Sequence, residues 1–168
     1  MNYYITGQRT NIRPILISDA QDLFAIRSDA EVNRFIERNA YEALSQATEF
    51  IDTLHEKMPK GEWFVLGVED TKNGKLIGTV CLFGFNEERT VGELGYELSP
   101  LYQGKGVMTE TLELFLNWIK SEQLAQKLNA CIHAQNEASK RLIQKLGFVL
   151  DDTVEKIPEG FNGWSKFL

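Results

Sequence analysis

The sequence predicts one α/β domain over residues 1–168: a mixed, mostly antiparallel sheet with a parallel strand pair at its centre and helices flanking it. Three observations carry this. A chain of 168 residues fits one domain and leaves no room for a second. Between Trp63 and Leu98 the apolar pattern turns into runs of β-branched and aromatic residues separated by turn residues, as in an antiparallel meander. The second half then alternates β-α-β-α-β. A strand, a crossover helix and a second strand in one sheet place the two strands parallel.

The elements follow in order. Asn11 to Ile15 is a short extended piece, and Ser18 and Asp19 suit the cap of a helix whose apolar positions Leu23, Phe24 and Ile26 lead on to Val32, Phe35 and Ile36. A second helix runs from Ser45 to about Met58, with Ala47, Phe50, Ile51 and Leu54 on one face, and Pro59 and Gly61 stop it. Trp63 to Val68 and Leu76 to Phe83 are strands joined by Asn73-Gly74, a strong hairpin signal. Val91 to Leu98 is the third strand of the meander, ended by Ser99-Pro100. From Lys105 to about Glu122, Met108, Leu112, Phe115 and Ile119 recur at helical spacing. A strand from Lys127 to Ile132, a helix from Asn136 to Leu146 closed by Gly147, and a strand starting at Phe148 complete the chain.

Composition narrows the function. Eighteen Lys and Arg against 24 Asp and Glu leave a net charge of −6, which offers no basic footprint to a nucleic acid and is repelled by an anionic membrane. No run reaches the roughly 18 apolar residues of a membrane span, and the N-terminus lacks the pattern of a secretory signal. Two cysteines, Cys81 and Cys131, make neither a disulfide framework nor a metal-ligand quartet, so no metal is expected and a cytoplasmic location is the simplest.

Candidate chemistry lies at the junction Leu101-Tyr102-Gln103-Gly104-Lys105-Gly106-Val107-Met108-Thr109, between a strand end and a helix start. Amides in the first turn of a helix have no intrahelical acceptor, the helix dipole adds positive potential, and glycine lets a phosphate approach the backbone. Two glycines alone equally suit an ordinary tight turn. A Walker loop would need Gly at Ser99 and Ser or Thr at Gly106, and a dinucleotide fingerprint would need Gly at Thr109, so neither fits and a nucleotide-hydrolysing or Rossmann reading loses most of its weight.

Glu93 and Glu97 share one face of the feeding strand. Glu93 lies among Gly92, Leu94 and Gly95, where glycines mark a bulge or a close backbone approach beside a cleft, and is the best general-base candidate; Glu97 reads more simply as a solvent-facing carboxylate. Asn136 suits a helix cap with Ser139 in the first turn, and capping alone explains both; the functional alternative has Asn136 binding a ligand's amide chain and Ser139 donating a proton. Cys131 and His133, two apart on a strand, are too few to make a metal site.

Taken together, Glu93-Leu94-Gly95-Tyr96-Glu97-Leu98-Ser99-Pro100, Gln103-Gly104-Lys105-Gly106-Val107-Met108-Thr109-Glu110, and Asn136-x-x-Ser139 ending in Lys145-Leu146-Gly147-Phe148 resemble the GNAT superfamily of N-acetyltransferases, particularly its RimJ/RimL-like ribosomal-protein branch. Arg13-Pro14, Asp19-Ala20, Leu23-Phe24 and Ser28-Asp29 extend the resemblance to nearly the whole chain. It implies that the central parallel pair splays apart and that acetyl-CoA is the cosubstrate. It also implies a cofactor site at Leu98, Gln103, Gly104, Lys105, Gly106, Val107, Met108 and Asn136, with Glu93 and Ser139 catalytic. The tyrosine that many relatives carry four residues before the Gly-Phe pair is Ile143 here, which transfers the acid role to Ser139. The chain ends soon after Trp164, where the family's last strand is usually longer. The implied acceptor is a primary amine, such as a ribosomal-protein N-terminus, a polyamine or an aminoglycoside, and a homodimer is compatible with the family. A non-catalytic acyl-CoA-binding module is the alternative from a different class.

Overall fold

A computed structural model describes residues 2–168. The strands are β1 (Ile5–Thr6), β2 (Thr10–Arg13), β3 (Phe64–Asp70), β4 (Leu76–Phe83), β5 (Val91–Leu98), β6 (Lys127–His133), β7 (Val149–Leu150) and β8 (Phe161–Phe167). The helices are α1 (Ala20–Ser28), α2 (Ala30–Asn33), α3 (Leu44–Lys57), α4 (Val107–Ser121) and α5 (Glu137–Lys145). All eight strands form one sheet in the order β1-β2-β3-β4-β5-β6-β8-β7. Every neighbouring pair is antiparallel except β5 and β6. That parallel pairing spans only Val91 to Glu93 against Lys127 to Asn129. Beyond Glu93 and Asn129 the two strands part, which opens a wedge at the centre of the sheet.

The pleat sorts the two sides of the wedge. Phe83 pairs with Glu93, Cys81 with Gly95 and Thr79 with Glu97, so these residues share one face. Helix α1 packs there, because Arg27 reaches Glu97 at 2.9 Å. The opposite face carries Leu82, Leu94, Tyr96 and Leu98 and meets α4, where Phe64, the partner of Leu82, packs edge-on to Trp118. Along α4, Leu112, Phe115 and Ile119 are fully buried, as the helical spacing requires. Each such side chain contributes on the order of 1.5–3 kcal/mol of burial free energy. Among the described residues no helix is long and apolar enough to cross a membrane.

The N-terminal third differs from the sequence expectation. Asp19 does not cap α1 with its side chain; it is buried, accepts the Leu16 N–H at 2.8 Å and takes a two-pronged pair from Arg13 at 2.7 and 3.0 Å. The apolar positions from Leu23 to Ile36 do not lie on one helix, because Asp29 turns extended and caps α2 through the amides of Glu31 and Val32. Strand β1 carried no readable signal at two residues.

Asn73-Gly74 does not form a two-residue hairpin either. Asp70 N–H donates to Lys75 O, and Gly74, at φ +71°, sits inside a longer loop. The meander itself follows expectation, and the β4–β5 register runs without a shift from Gly78 to Phe83. Gly92 and Gly95 therefore mark close approach rather than a bulge: a Cβ would lie 2.7 Å from Leu82 Cδ1 at Gly92 and 2.6 Å from Cys81 Sγ at Gly95. The last strand, though short, pairs with β6 along its whole length and is inserted between β6 and β7.

Candidate active site

The junction between β5 and α4 is built to leave backbone donors free. After a short turn at Pro100–Tyr102, Gln103 N–H donates to Pro100 O, and the next backbone N–H with an acceptor among the described residues is Glu110, at 3.3 Å from Gly106 O. The amides from residue 104 to 109 lie between them. Gly104 and Gly106 adopt φ of +70° and +72°, the left-handed region, where any other residue pays roughly 1–2 kcal/mol. A Cβ at Gly104 would meet nothing within 4 Å, so conformation rather than space demands glycine there.

Arg9, just before β2, holds this segment from behind. Its guanidinium donates to Lys105 O at 2.8 Å and Gly106 O at 2.9 Å, while Nε pairs with Glu110 Oε2 at 2.7 Å. In a trans peptide the C=O and the following N–H point in opposite directions. Fixing the carbonyls of Lys105 and Gly106 toward Arg9 therefore turns the N–H groups of Gly106 and Val107 the other way. Gln103 ties the loop to the strand end by donating to Leu98 O at 2.8 Å. The ammonium of Lys105 donates to Leu101 O at 2.7 Å. Its side chain closes the turn and is absent from the cavity wall, so its place at the site rests on its main-chain amide.

That wall encloses about 600 Å³. Leu98, Gln103, Gly104, Gly106, Val107 and Met108 line one side, and Asn136 and Ser139 line the other. Asn136 does cap α5, its Oδ1 accepting the Ser139 N–H at 3.1 Å, which leaves its amide N–H groups for other partners. The position expected to hold a tyrosine in many relatives, Ile143, is fully buried in the core. Further wall residues had no side-chain role at the site from sequence: Tyr96 on β5, Arg141 and Lys145 on α5, and Arg34 and Phe35 just after α2. The last two come from the N-terminal third, far away in sequence.

Glu93 does not line this cavity. It sits where the wedge opens, on the opposite sheet face from Tyr96, at the last residue paired with β6. Burial pushes its carboxyl above the ordinary range, while the Cys131 thiol, donating to it, pulls the other way. Burial and the neighbouring carboxylate push that thiol up to about 11, so Cys131 is a proton donor to Glu93 rather than a thiolate. His133 makes no pair with Cys131; its Nδ1 accepts the Gln135 N–H, and the ring packs between Phe35 and Phe161.

Glu97 overturns its solvent-facing expectation. It is 5% exposed and accepts from Thr79 and Arg27, each at 2.9 Å, and pairs with Arg38. Burial pushes its carboxyl up, but the two guanidiniums outweigh this and hold it below the usual range. Arg27 in turn stacks 4.0 Å from the centroid of Phe50 and donates to Tyr41. Through Arg38, Glu97 anchors the segment that follows Phe35 at the cavity edge.

Comparisons with known proteins bear on the family and the fold. The family profile described as an acetyltransferase (GNAT) domain matches residues 9–149. An uncharacterized N-acetyltransferase of Bacillus subtilis, YoaA, is 29% identical over 140 residues, covering 83% of this chain and 79% of that protein. The spermidine N(1)-acetyltransferase of Escherichia coli is 26% identical over 147 residues, covering 87% and 76%. Among solved structures, the RimL ribosomal alpha-N-protein acetyltransferase in complex with coenzyme A superimposes with a TM-score of 0.86 at 13% identity, covering 98% of each chain. The chain belongs to the GNAT acetyltransferase family and is an N-acetyltransferase whose structural neighbours include the RimJ/RimL-like enzymes.

Proposed function

We propose that the protein transfers the acetyl group of acetyl-CoA to a primary amine, a protein N-terminal α-amine in the first instance, by direct attack and without an acyl-enzyme. One observation carries this reading: the unpaired amides around two left-handed glycines open onto a cavity that lies beside the wedge between β5 and β6. Acetyl-CoA would supply an activated thioester there. The amides of Gly104 to Met108 would hold its diphosphate, by the same physics that seats anions at helix N-termini. Asn136 and Leu98 would flank the pantetheine arm as it enters the wedge toward Cys131.

The chain's own groups then divide the proton transfers. An alkylammonium cannot attack until it loses a proton, and Glu93, directly or through a water, takes it from the face opposite the cavity. Beyond Glu93, the β5 amides that point toward β6 have no strand partner, so donors among Tyr96 to Leu98 are free to stabilise developing negative charge on the carbonyl oxygen. Ser139 gives its proton to the leaving sulfur from the α5 side. Base and acid thus approach the wedge from opposite faces of the sheet.

The choice of acceptor has a second reading, a small polyamine, supported by similarity to the spermidine enzyme and by the net charge of −6, which favours cationic acceptors. The test is thiol release from acetyl-CoA with a panel of N-terminal peptides, spermidine and an aminoglycoside, followed by mass spectrometry of each acceptor. Acetylation of a peptide α-amine supports the first reading, and acetylation of spermidine alone supports the second. Tight CoA binding without turnover on any amine would leave only a binding module.

A further inference from the structure

A buried tyrosine hydroxyl ordinarily finds a hydrogen-bond partner. That of Tyr96 is buried and has none. The residue lines the cavity wall together with Ser139, the side chain that eases the phenol's rise in pKa. Tyr96 belongs to the sheet face turned toward α4, so its ring lies on the opposite face from Glu93. Burial pushes the phenol up to about 12, with Ser139 pulling slightly the other way, so it is protonated at neutral pH.

An aliphatic alcohol is a poor acid by itself. Ser139 passes a proton to a leaving sulfur at low cost only if another group returns one to its oxygen in the same event. A phenol, even one pushed up to about 12 by burial, is a stronger acid than an aliphatic alcohol and can take that position. We propose that Tyr96 is the proton source behind Ser139, the two hydroxyls forming a relay that ends on the leaving sulfur. As the carbon–sulfur bond breaks, its electron pair stays on sulfur. Ser139 gives its proton to the sulfur, Tyr96 gives its proton to Ser139 Oγ, and the phenolate regains a proton from water when the products leave. Of the two protons the ammonium loses, Glu93 hands both on to solvent; one balances the proton that Tyr96 regains. Tyr96 is in this scheme a positioning and relay residue, acting through Ser139.

The proposal rests on the acyl-transfer reading, and its test separates the two. In Tyr96→Phe, kcat should fall about 10- to 100-fold, while CoA affinity by calorimetry and the thermal midpoint stay near wild type. Because a relay acts as a unit, Tyr96→Phe/Ser139→Ala should be no slower than the slower single variant. A second readout needs no turnover: in the CoA complex, the thiol followed by thiolate absorbance should titrate about one pH unit higher in Tyr96→Phe than in wild type, because the Ser139 hydroxyl that donates to the thiolate is no longer polarised by the phenol behind it. Single-variant losses that multiply, or an unchanged thiol titration, would overturn the relay. A wild-type protein that never releases thiol would instead overturn the acyl-transfer reading, with the titration still deciding whether Tyr96 acts on the sulfur.

Discussion

Replacing Arg9 by alanine should loosen the loop before α4 without touching any group that would meet the substrate. The side chain makes two bonds to loop carbonyls, at 2.8 and 2.9 Å, and one to Glu110 at 2.7 Å. Hydrogen bonds to charged groups are worth about 1.5–3 kcal/mol when sheltered. Arg9 is 46% exposed and Glu110 23%, so solvent screening reduces each to about 0.5–1 kcal/mol, and the two loop bonds together to about 1–2 kcal/mol. If the carbonyls swing free, so do the amides on the same peptide units, and only the fraction of molecules that keeps them aligned binds at full strength. That corresponds to roughly 5- to 30-fold weaker CoA binding. Isothermal calorimetry with CoA measures it, with circular dichroism confirming the fold. Arg9→Lys should recover only part of the loss, because an ammonium cannot fork to two carbonyls as a guanidinium does. Wild-type affinity in folded Arg9→Ala would refute the idea that this clamp orients the amides.

The remaining expectations follow from the two carboxylates and the loop. Glu93→Gln should lower kcat about 10²-fold with CoA affinity retained, and unchanged turnover would remove Glu93 from the chemistry. Because burial raises the Glu93 carboxyl, activity should fall with decreasing pH while still above the ordinary carboxylate value of about 4.3, and Glu93→Gln should lack this limb of the rate profile. Glu97→Gln leaves Arg27 and Arg38 without their counter-charge and should cost about 3 kcal/mol or more in urea unfolding. Since the Glu97 carboxyl is held below its unfolded value, its contribution is complete above about pH 4.3 and is lost as pH falls through the lower folded value; Glu97→Gln should show a shallower acid slope there. Gly106→Glu places a strained residue and a like charge at the proposed diphosphate seat, and calorimetry should find CoA binding abolished.

Much of the frame was legible because it is periodic. The bounds of β4 and β5 follow from β-branched runs, and α4 from the spacing of Leu112, Phe115 and Ile119; the parallel β5–β6 pair follows from the crossover they require. Gly104 and Gly106 stood out because a left-handed backbone leaves few other choices of residue. What stayed hidden depends on contacts between distant segments. Arg9 meets Gly106 across 97 positions, and nothing local distinguishes it from any exposed arginine. Glu97 looked like a solvent-facing carboxylate until Arg27 and Arg38 arrived from the N-terminal third to bury it. That the Lys105 ammonium turns back to Leu101 O depends on the shape of the turn, which the sequence does not show. Tyr96 stood inside the family-like motif, but nothing marked its side chain in a strand where aromatic residues are ordinary.

Amide chemical shifts test the central claim most directly. If main-chain donors seat the coenzyme's diphosphate, titrating CoA into isotopically labelled protein should shift the amide resonances of Gly104, Gly106, Val107 and Met108 strongly downfield, with smaller changes at Leu98 and Asn136. CoA that binds while these resonances stay in place, with the shifts clustered on another surface, would contradict the account.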